Sequence, residues 1–290
     1  MAEWINTLLQ GVLLGGLYSL FATGLALSFG VMRMINIAHG DFAILAAFAA
    51  IAVVEPLGLS PWMTLLVIVP LMGGFGYVLQ RLVLNRTLGH DILPPLLVTF
   101  GLSIMIQNLL LVSFSADTRS LNVGELGTAS VLLGGDVAVG VLPLIIMAVA
   151  VGVLVGLQWL FSATSLGRAF RAASDDREAA QLMGINNRHI YGVAMALAMA
   201  IVAIAGIFLA IRANISPADG PARLLYAFEA VIIGGLGSLW GTLAGGVILG
   251  VAQSIGLKAD PGWGILAGHL AFLAVLVVRP NGLFARTRDR

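Results

Sequence analysis

The chain has 290 residues, 59% of them hydrophobic and 10% charged, with a formal net charge of +1. An ordinary soluble domain carries about 25% charged residues, so this composition cannot cover a soluble surface, and near-neutrality gives no electrostatic basis for binding nucleic acid. There is no cysteine, which excludes disulfides and thiolate chemistry.

Spanning a bilayer takes about 20 mostly apolar residues. Apolar segments fall at 5–31, 35–54, 62–83, 92–114, 140–162, 190–212, 226–256 and 263–279. The pattern predicts an all-α polytopic membrane protein, one domain over 1–290, with 8 transmembrane segments, interrupted helices and a short cytoplasmic helix. The first segment holds no charge from Ile5 to Met32, and Met-Ala-Glu-Trp before it lacks a basic flank, so no cleaved signal peptide is expected. The second has only 13 uncharged residues between Asp41 and Glu55. It either begins before Asp41, carrying polar residues into the membrane, or is discontinuous. Asn36, His39, Gly40 and Asp41 stand at its start. Unpaired amides at a helix N-terminus favour an anion such as a substrate carboxylate. Asp41 capping its own helix, or pairing with Arg33, is the competing reading. One histidine and one aspartate fall short of the three or four ligands of a zinc site.

In the fourth segment Thr99, Ser103 and Gln107 recur every four residues and share one helix face, with Asn108 beside them. Such a stripe lines a wet path or bonds a neighbouring helix. The connection 115–139 carries Asp117, Glu125 and Asp136. The connection 164–191 is polar and basic. Ser174 predicts a helix start, Asp175, Asp176 and Glu178 suit the first turn, and Gly184 ends it. The result is a helix of about nine residues at the membrane surface, with Ala179 and Ala180 as a small face for a partner's groove; a solvated charged loop is the plainer alternative.

The segment 226–256 is too long for one span and is broken by Gly-Gly-Leu-Gly-Ser-Leu-Trp-Gly at 234–241. It reads as a half-helix before a full span, or as two short spans. Non-helical backbone at membrane depth survives only against protein or a wet cavity, so Gly234, Gly235, Gly237 and Ser238 mark either a transport path or close helix packing. Glu229, just before the break, is an intramembrane carboxylate with a functional or an ion-pair role. His269 in the last segment reads as packed and hydrogen-bonded.

Arginines set the orientation. Arg81 and Arg86 follow segment three, and Arg168, Arg171, Arg177 and Arg188 follow segment five, which places both connections in the cytoplasm and the N-terminus outside. Arg286, Arg288 and Arg290 also want the inside, which eight simple spans deny and nine crossings allow, if 226–256 crosses twice. Arg212 and Arg223 on an outer loop run against the bias. The single lysine, Lys258, lies in Gly-Leu-Lys-Ala and not in a Gly-Lys-Ser/Thr phosphate loop, so this chain is no ATPase by that route.

Five blocks carry a resemblance. Ile-Asn-Ile-Ala-His-Gly-Asp-Phe at 35–42, Leu-Val-Thr-Phe-Gly-Leu-Ser at 97–103, Arg-Ala-Ala-Ser-Asp-Asp-Arg-Glu-Ala-Ala-Gln-Leu-Met-Gly-Ile-Asn at 171–186, Ile-Gly-Gly-Leu-Gly-Ser-Leu-Trp-Gly at 233–241 and Val-Arg-Pro-Asn-Gly-Leu-Phe at 278–284 stand in order along nearly the whole chain. Together they resemble LivH-type permeases of the branched-chain amino-acid ABC transporter family. Glu178-Ala179-Ala180, three residues, then Gly184 resembles the EAA loop of importer permeases, without its later Ile-x-Leu-Pro part.

The resemblance implies a permease subunit in the inner membrane, with no cofactor of its own. It implies partnership with a second related permease, two ATPase subunits that bind ATP and magnesium, and a periplasmic or lipid-anchored solute-binding protein. Membrane lipid surrounds it. Glu178, Ala179, Ala180 and Gly184, with Arg177, would couple to the ATPase. Asn36, His39, Gly40, Asp41, Thr99, Ser103, Gln107, Glu229 and the 234–238 break would line the substrate path. Urea and short amides are alternative cargo, and a stand-alone secondary transporter or channel is the rival machine.

Overall fold

The computed structural model describes residues 2–89, 91, 93–134 and 137–284. Asp136 and the terminal Arg286, Arg288 and Arg290, used above in the charge argument, lie outside the described residues. Among the described residues seven helices are long and apolar enough to cross a membrane. These are α1 (Ala2–Met32), α2 (His39–Leu57), α3 (Pro61–Leu82, prolonged by a 3-10 turn to Arg86), α4 (Leu93–Phe114), α5 (Val141–Ala163), α8 (Asn187–Arg212) and α10 (Leu239–Ala259). The shorter α11 (Trp263–Val278) is the eighth expected segment. Two short polar helices, α6 (Ser165–Asp175) and α7 (Arg177–Leu182), separate α5 from α8. A two-stranded hairpin, β1 (Ser130–Gly134) with β2 (Val137–Gly140), sits in the loop before α5.

The long segment resolves into a hairpin. Its first arm, α9 (Gly220–Gly234), starts earlier than the apolar pattern indicates and takes in Arg223; the second arm is α10. Gly235 (φ +98) and Gly237 (φ +82) turn the chain between them in a backbone region open to glycine. The arms are antiparallel: Gly234 lies on Gly241 and Gly245 on Ala230. The same α10 runs antiparallel to α1, with Gly11 against Val251 and Gly15 against Val247. A Cβ at any of these glycines would strike backbone, so α1, α9 and α10 pack at a distance only glycine permits. The segment thus reverses once, between α9 and α10, and α9 runs parallel to α1. With 15 residues it is about 22 Å long, shorter than a bilayer core of about 30 Å.

Two further features fix depth. Exposed Trp4 and Trp263 mark the end where α1 begins, and exposed Trp159 and Trp240 the end where α5 finishes, as in interfacial aromatic belts. Lys258 at the first end sits over the Trp4 ring at 4.6 Å and 3.3 Å from Glu3. After α11 the chain turns back, and the Leu283 and Phe284 amides donate to the Ile233 and Gly234 carbonyls at 2.9 and 3.0 Å. Those carbonyls would otherwise be the orphan acceptors of the α9 terminus. The core centres on α1, α2 and α8, while α4 and much of α5 and α11 turn apolar side chains outward.

Candidate functional site

After Met32 the chain does not leave the bundle. Arg33 adopts φ +52, and residues 33–38 turn back inward. The Nε2 of His39 meets the Phe21 carbonyl, midway along α1, at 2.9 Å, so α2 begins inside the protein. Thus the second element starts before Asp41 and carries its polar residues in with it: Asn36, His39 and Asp41 are each 1% exposed. The Asn36 side-chain oxygen accepts the Ala38 amide at 3.1 Å and closes the turn. Asp41 does not cap α2, whose N-cap Ala38 has no side-chain cap. No Arg33–Asp41 ion pair forms among the described residues.

The start of α2 abuts the start of α9. Gly40 packs on the Gly220 carbonyl, and Gly220 packs on the Asp41 carboxylate; a Cβ on either glycine would collide. On the other side stands the α4 stripe. Gln107 donates from Nε2 to Asp41 Oδ1 at 2.9 Å and to Ser103 Oγ at 3.1 Å. Thr99 Oγ1 accepts the Ile37 amide at 3.2 Å. The stripe therefore bonds the incoming chain of α2. Two buried atoms have no partner, Asp41 Oδ2 and Asn36 Nδ2. Leaving a polar group unpaired costs about 1–3 kcal/mol, so both mark spots where a ligand or water has something to bind. Asn108 stays outside this group, bonded to the Ile104 carbonyl on the exposed face.

Glu229 is not joined to that group by any hydrogen bond. Its Oε1 pairs with Nδ1 of His269 on α11, which gives the hydrogen bond expected of that histidine, and its Oε2 has no partner. Tyr226 stacks on His269 and lies 5.1 Å from the Tyr18 ring, and Tyr18 donates to Gln253 Oε1. Tyr18 and Gln253 were missed by sequence reading. For Glu229 and His269 the available signal was that two ionisable groups in apolar segments seek each other. Gly234, Gly235, Gly237 and Ser238 lie at the opposite end of α9 from Asp41. There Ser238 Oγ caps α10 by accepting the Gly241 amide at 3.1 Å, and Gly235 touches Gly282. The structure thus gathers Asn36, His39, Gly40, Asp41, Thr99, Ser103 and Gln107 and separates the 234–238 break from them.

The polar connection differs from its expected form. Ser174 lies inside α6, its hydroxyl donating to the Arg171 carbonyl, and Asp175 ends that helix. The cap is Asp176, which accepts the Glu178 and Ala179 amides at 2.9 and 3.0 Å, so α7 has six residues and not nine. Gly184 (φ +84) ends the turn, and the Ile185 amide returns to the Ala180 carbonyl at 3.0 Å. Ala180 is buried against its own chain, which removes it from the small exposed face; Glu178 and Ala179 remain exposed. The apolar projection is instead Leu182 and Met183, 88% and 83% exposed. Arg177 is tied to the body: it donates to the Leu88 carbonyl at 3.4 Å and lies 5.7 Å over the Tyr191 ring, while Asn187 Nδ2 donates to the Arg177 carbonyl at 2.7 Å.

The family described as branched-chain amino acid transport system, permease component, matches residues 7–277. The chain is 31% identical to the high-affinity branched-chain amino acid transport system permease protein BraD of Pseudomonas aeruginosa, over 98% of this chain and 96% of that protein. It is 26% identical to the corresponding LivH of Escherichia coli K12 over the same shares. Among solved structures it is similar in fold to PsaBC from Streptococcus pneumoniae in complex with Fab, with a TM-score of 0.52 at 15% identity, over 97% of this chain and 96% of that one.

Proposed function

This chain belongs to the permease family of branched-chain amino acid transport systems, and from that premise we propose that it is the membrane-spanning permease of an ATP-driven importer for branched-chain or other apolar amino acids. The observation that carries the reading is the family match over 7–277. A second, related permease completes the channel, and two ATPase subunits bind the ATP and magnesium. A periplasmic or lipid-anchored binding protein delivers the cargo.

The substrate path runs past the junction of α2 with α9. The buried junction is the closed form. When α9 draws back from Gly40, Asp41 Oδ2 becomes available to an ammonium group, and the freed first amides of α9 to a carboxylate. The Thr99–Ser103–Gln107 stripe holds Asp41 and Ile37 in place. Alternating access then rests on motion of α9 relative to α2. The Glu229–His269 pair anchors α9 to α11 during that motion.

Coupling uses the segment 176–184. Its exposed Leu182 and Met183 seat in a groove of an ATPase, and Glu178 and Ala179 rim the contact. This end of the bundle faces the cytoplasm, as the arginines on the same end support. The N-terminus and the β1–β2 hairpin then face outward.

The direct test is uptake of labelled leucine by cells carrying the complete transporter, with competition by valine, alanine and urea. Branched-chain competitors are expected to reduce uptake most. Competition by urea alone would transfer the chain to an amide importer, and uptake by this chain without ATPase subunits would make it a secondary transporter.

A further inference from the structure

A cavity of about 410 Å³ opens beside the coupling segment, away from the α2–α9 junction. Its size falls in the range of about 300–1,000 Å³ typical of small-molecule pockets. The end of α1, the connection before α4, the end of α6 and the start of α8 enclose it. The lining is apolar at Met32, Met34 and Leu88 and charged at Arg33, Asp91, Asp175 and Arg177.

These four charges differ in what they already do, and Asp175 already has a partner. Arg177 is engaged, donating to the Leu88 carbonyl and stacking over Tyr191. Asp91 uses one oxygen on the Leu93 amide at 3.1 Å. Arg33 has an exposed side chain that makes no hydrogen bond or ion pair among the described residues, and no ion pair joins it to Asp91. Its backbone is left-handed at φ +52, held by the Arg33 amide on the Phe29 carbonyl at 2.8 Å. A side chain bearing a Cβ rarely takes this conformation, and the strain costs about 1–3 kcal/mol. A strained cation and a separate anion on one rim, over an apolar floor, match a molecule carrying both charges and a hydrocarbon tail.

We propose that this cavity binds an apolar amino-acid zwitterion from the cytosol, with Arg33 taking the carboxylate, Asp91 the ammonium, and Met32, Met34 and Leu88 the side chain. The proposal rests on the orientation and substrate class argued under Proposed function. It adds a second site, on the product side, whose wall includes the first residue of α7.

Because the chain has no cysteine, Ser174→Cys on the cavity wall gives this chain a single reporter, whose labelling in the complete transporter is read on the isolated permease band. A membrane-impermeant thiol reagent applied from the ATP side is expected to label it. At leucine twice the Kd, two-thirds of sites are filled and labelling slows about threefold. Isocaproate lacks the ammonium and isopentylamine the carboxylate, and neither is expected to protect. Arg33→Ala and Asp91→Asn in the same background abolish protection by leucine while the complex still purifies. No labelling at all, no protection by leucine, equal protection by either single-charge analogue, or protection that survives both substitutions each overturns the site. Leucine uptake by the same complex separates the two readings. Uptake without protection removes this site alone, and protection without uptake removes the importer assignment alone.

Discussion

Asp41 carries a carboxylate into a bundle whose interior is otherwise mostly hydrocarbon. One oxygen is satisfied by Gln107 and the other is not. Such a group is expensive, and its retention is explained by use. Asp41→Asn keeps the shape and removes the charge. It is expected to leave assembly intact and to lower initial uptake at least about tenfold, the effect of losing about 1.4 kcal/mol of substrate interaction. Unchanged uptake would remove Asp41 from the path. Gly220 makes a complementary case, because a Cβ there would land on that carboxylate. The Glu229–His269 pair is a separate matter. His269→Leu strands both oxygens of a carboxylate that is 3% exposed, and is expected to cost about 2 kcal/mol in thermal stability. Glu229→Leu added to it should restore most of that loss. A double variant no more stable than the single one would mean that the pair is not the relevant coupling. The block at 35–42 was readable as polar chemistry at a helix start. Its partners were not, because Gln107 and Gly220 are far away in sequence and only packing brings them to Asp41.

At the scale of elements, apolar length and charge exclusion specified the spans, and caps decided their ends. Hydropathy alone locates α1, α3, α4, α5 and α8 within a few residues. It failed where a local signal competed with a tertiary one. Ser174 is a good cap residue, yet α6 runs through it because Thr164 caps that helix earlier and Asp176 caps the next. Gly220 starts α9 inside a polar stretch that hydropathy assigns to a loop, because Pro221 presets the first turn and α2 covers it. Ala180 reads as part of an open small face but packs inward, leaving Leu182 and Met183 exposed. Leu182→Asp with Met183→Asp is therefore expected to abolish co-purification of the ATPase without unfolding the permease, since neither side chain is buried. Retained co-purification would move the docking surface elsewhere. The Asp176 cap is a milder lever, and Asp176→Ala should loosen α7 by about 1 kcal/mol, read as faster amide exchange over 177–183.

At the scale of the whole molecule, the charge bias and the hydropathy pattern disagreed about where the chain ends, and the α9–α10 hairpin offers the extra reversal that would reconcile them. Since α10 is antiparallel to α1, and α11 folds back along α10 with Gly264 on Leu257 and Gly268 on Gln253, α11 finishes at the end where α1 finishes. The same end holds α7 and the Leu283–Phe284 strap on α9. This geometry places residue 281 at the same end of the bundle as residue 182, and residues 125 and 258 at the other end. Single cysteines at these four positions test it in a chain with none of its own. Glu125→Cys and Lys258→Cys are expected to react with an impermeant reagent added to intact cells, and Leu182→Cys and Asn281→Cys only after the membrane is opened. Reaction of Asn281→Cys from outside would mean that α9 does not carry the chain across. The strap would then be capping a re-entrant helix that dips in from one face.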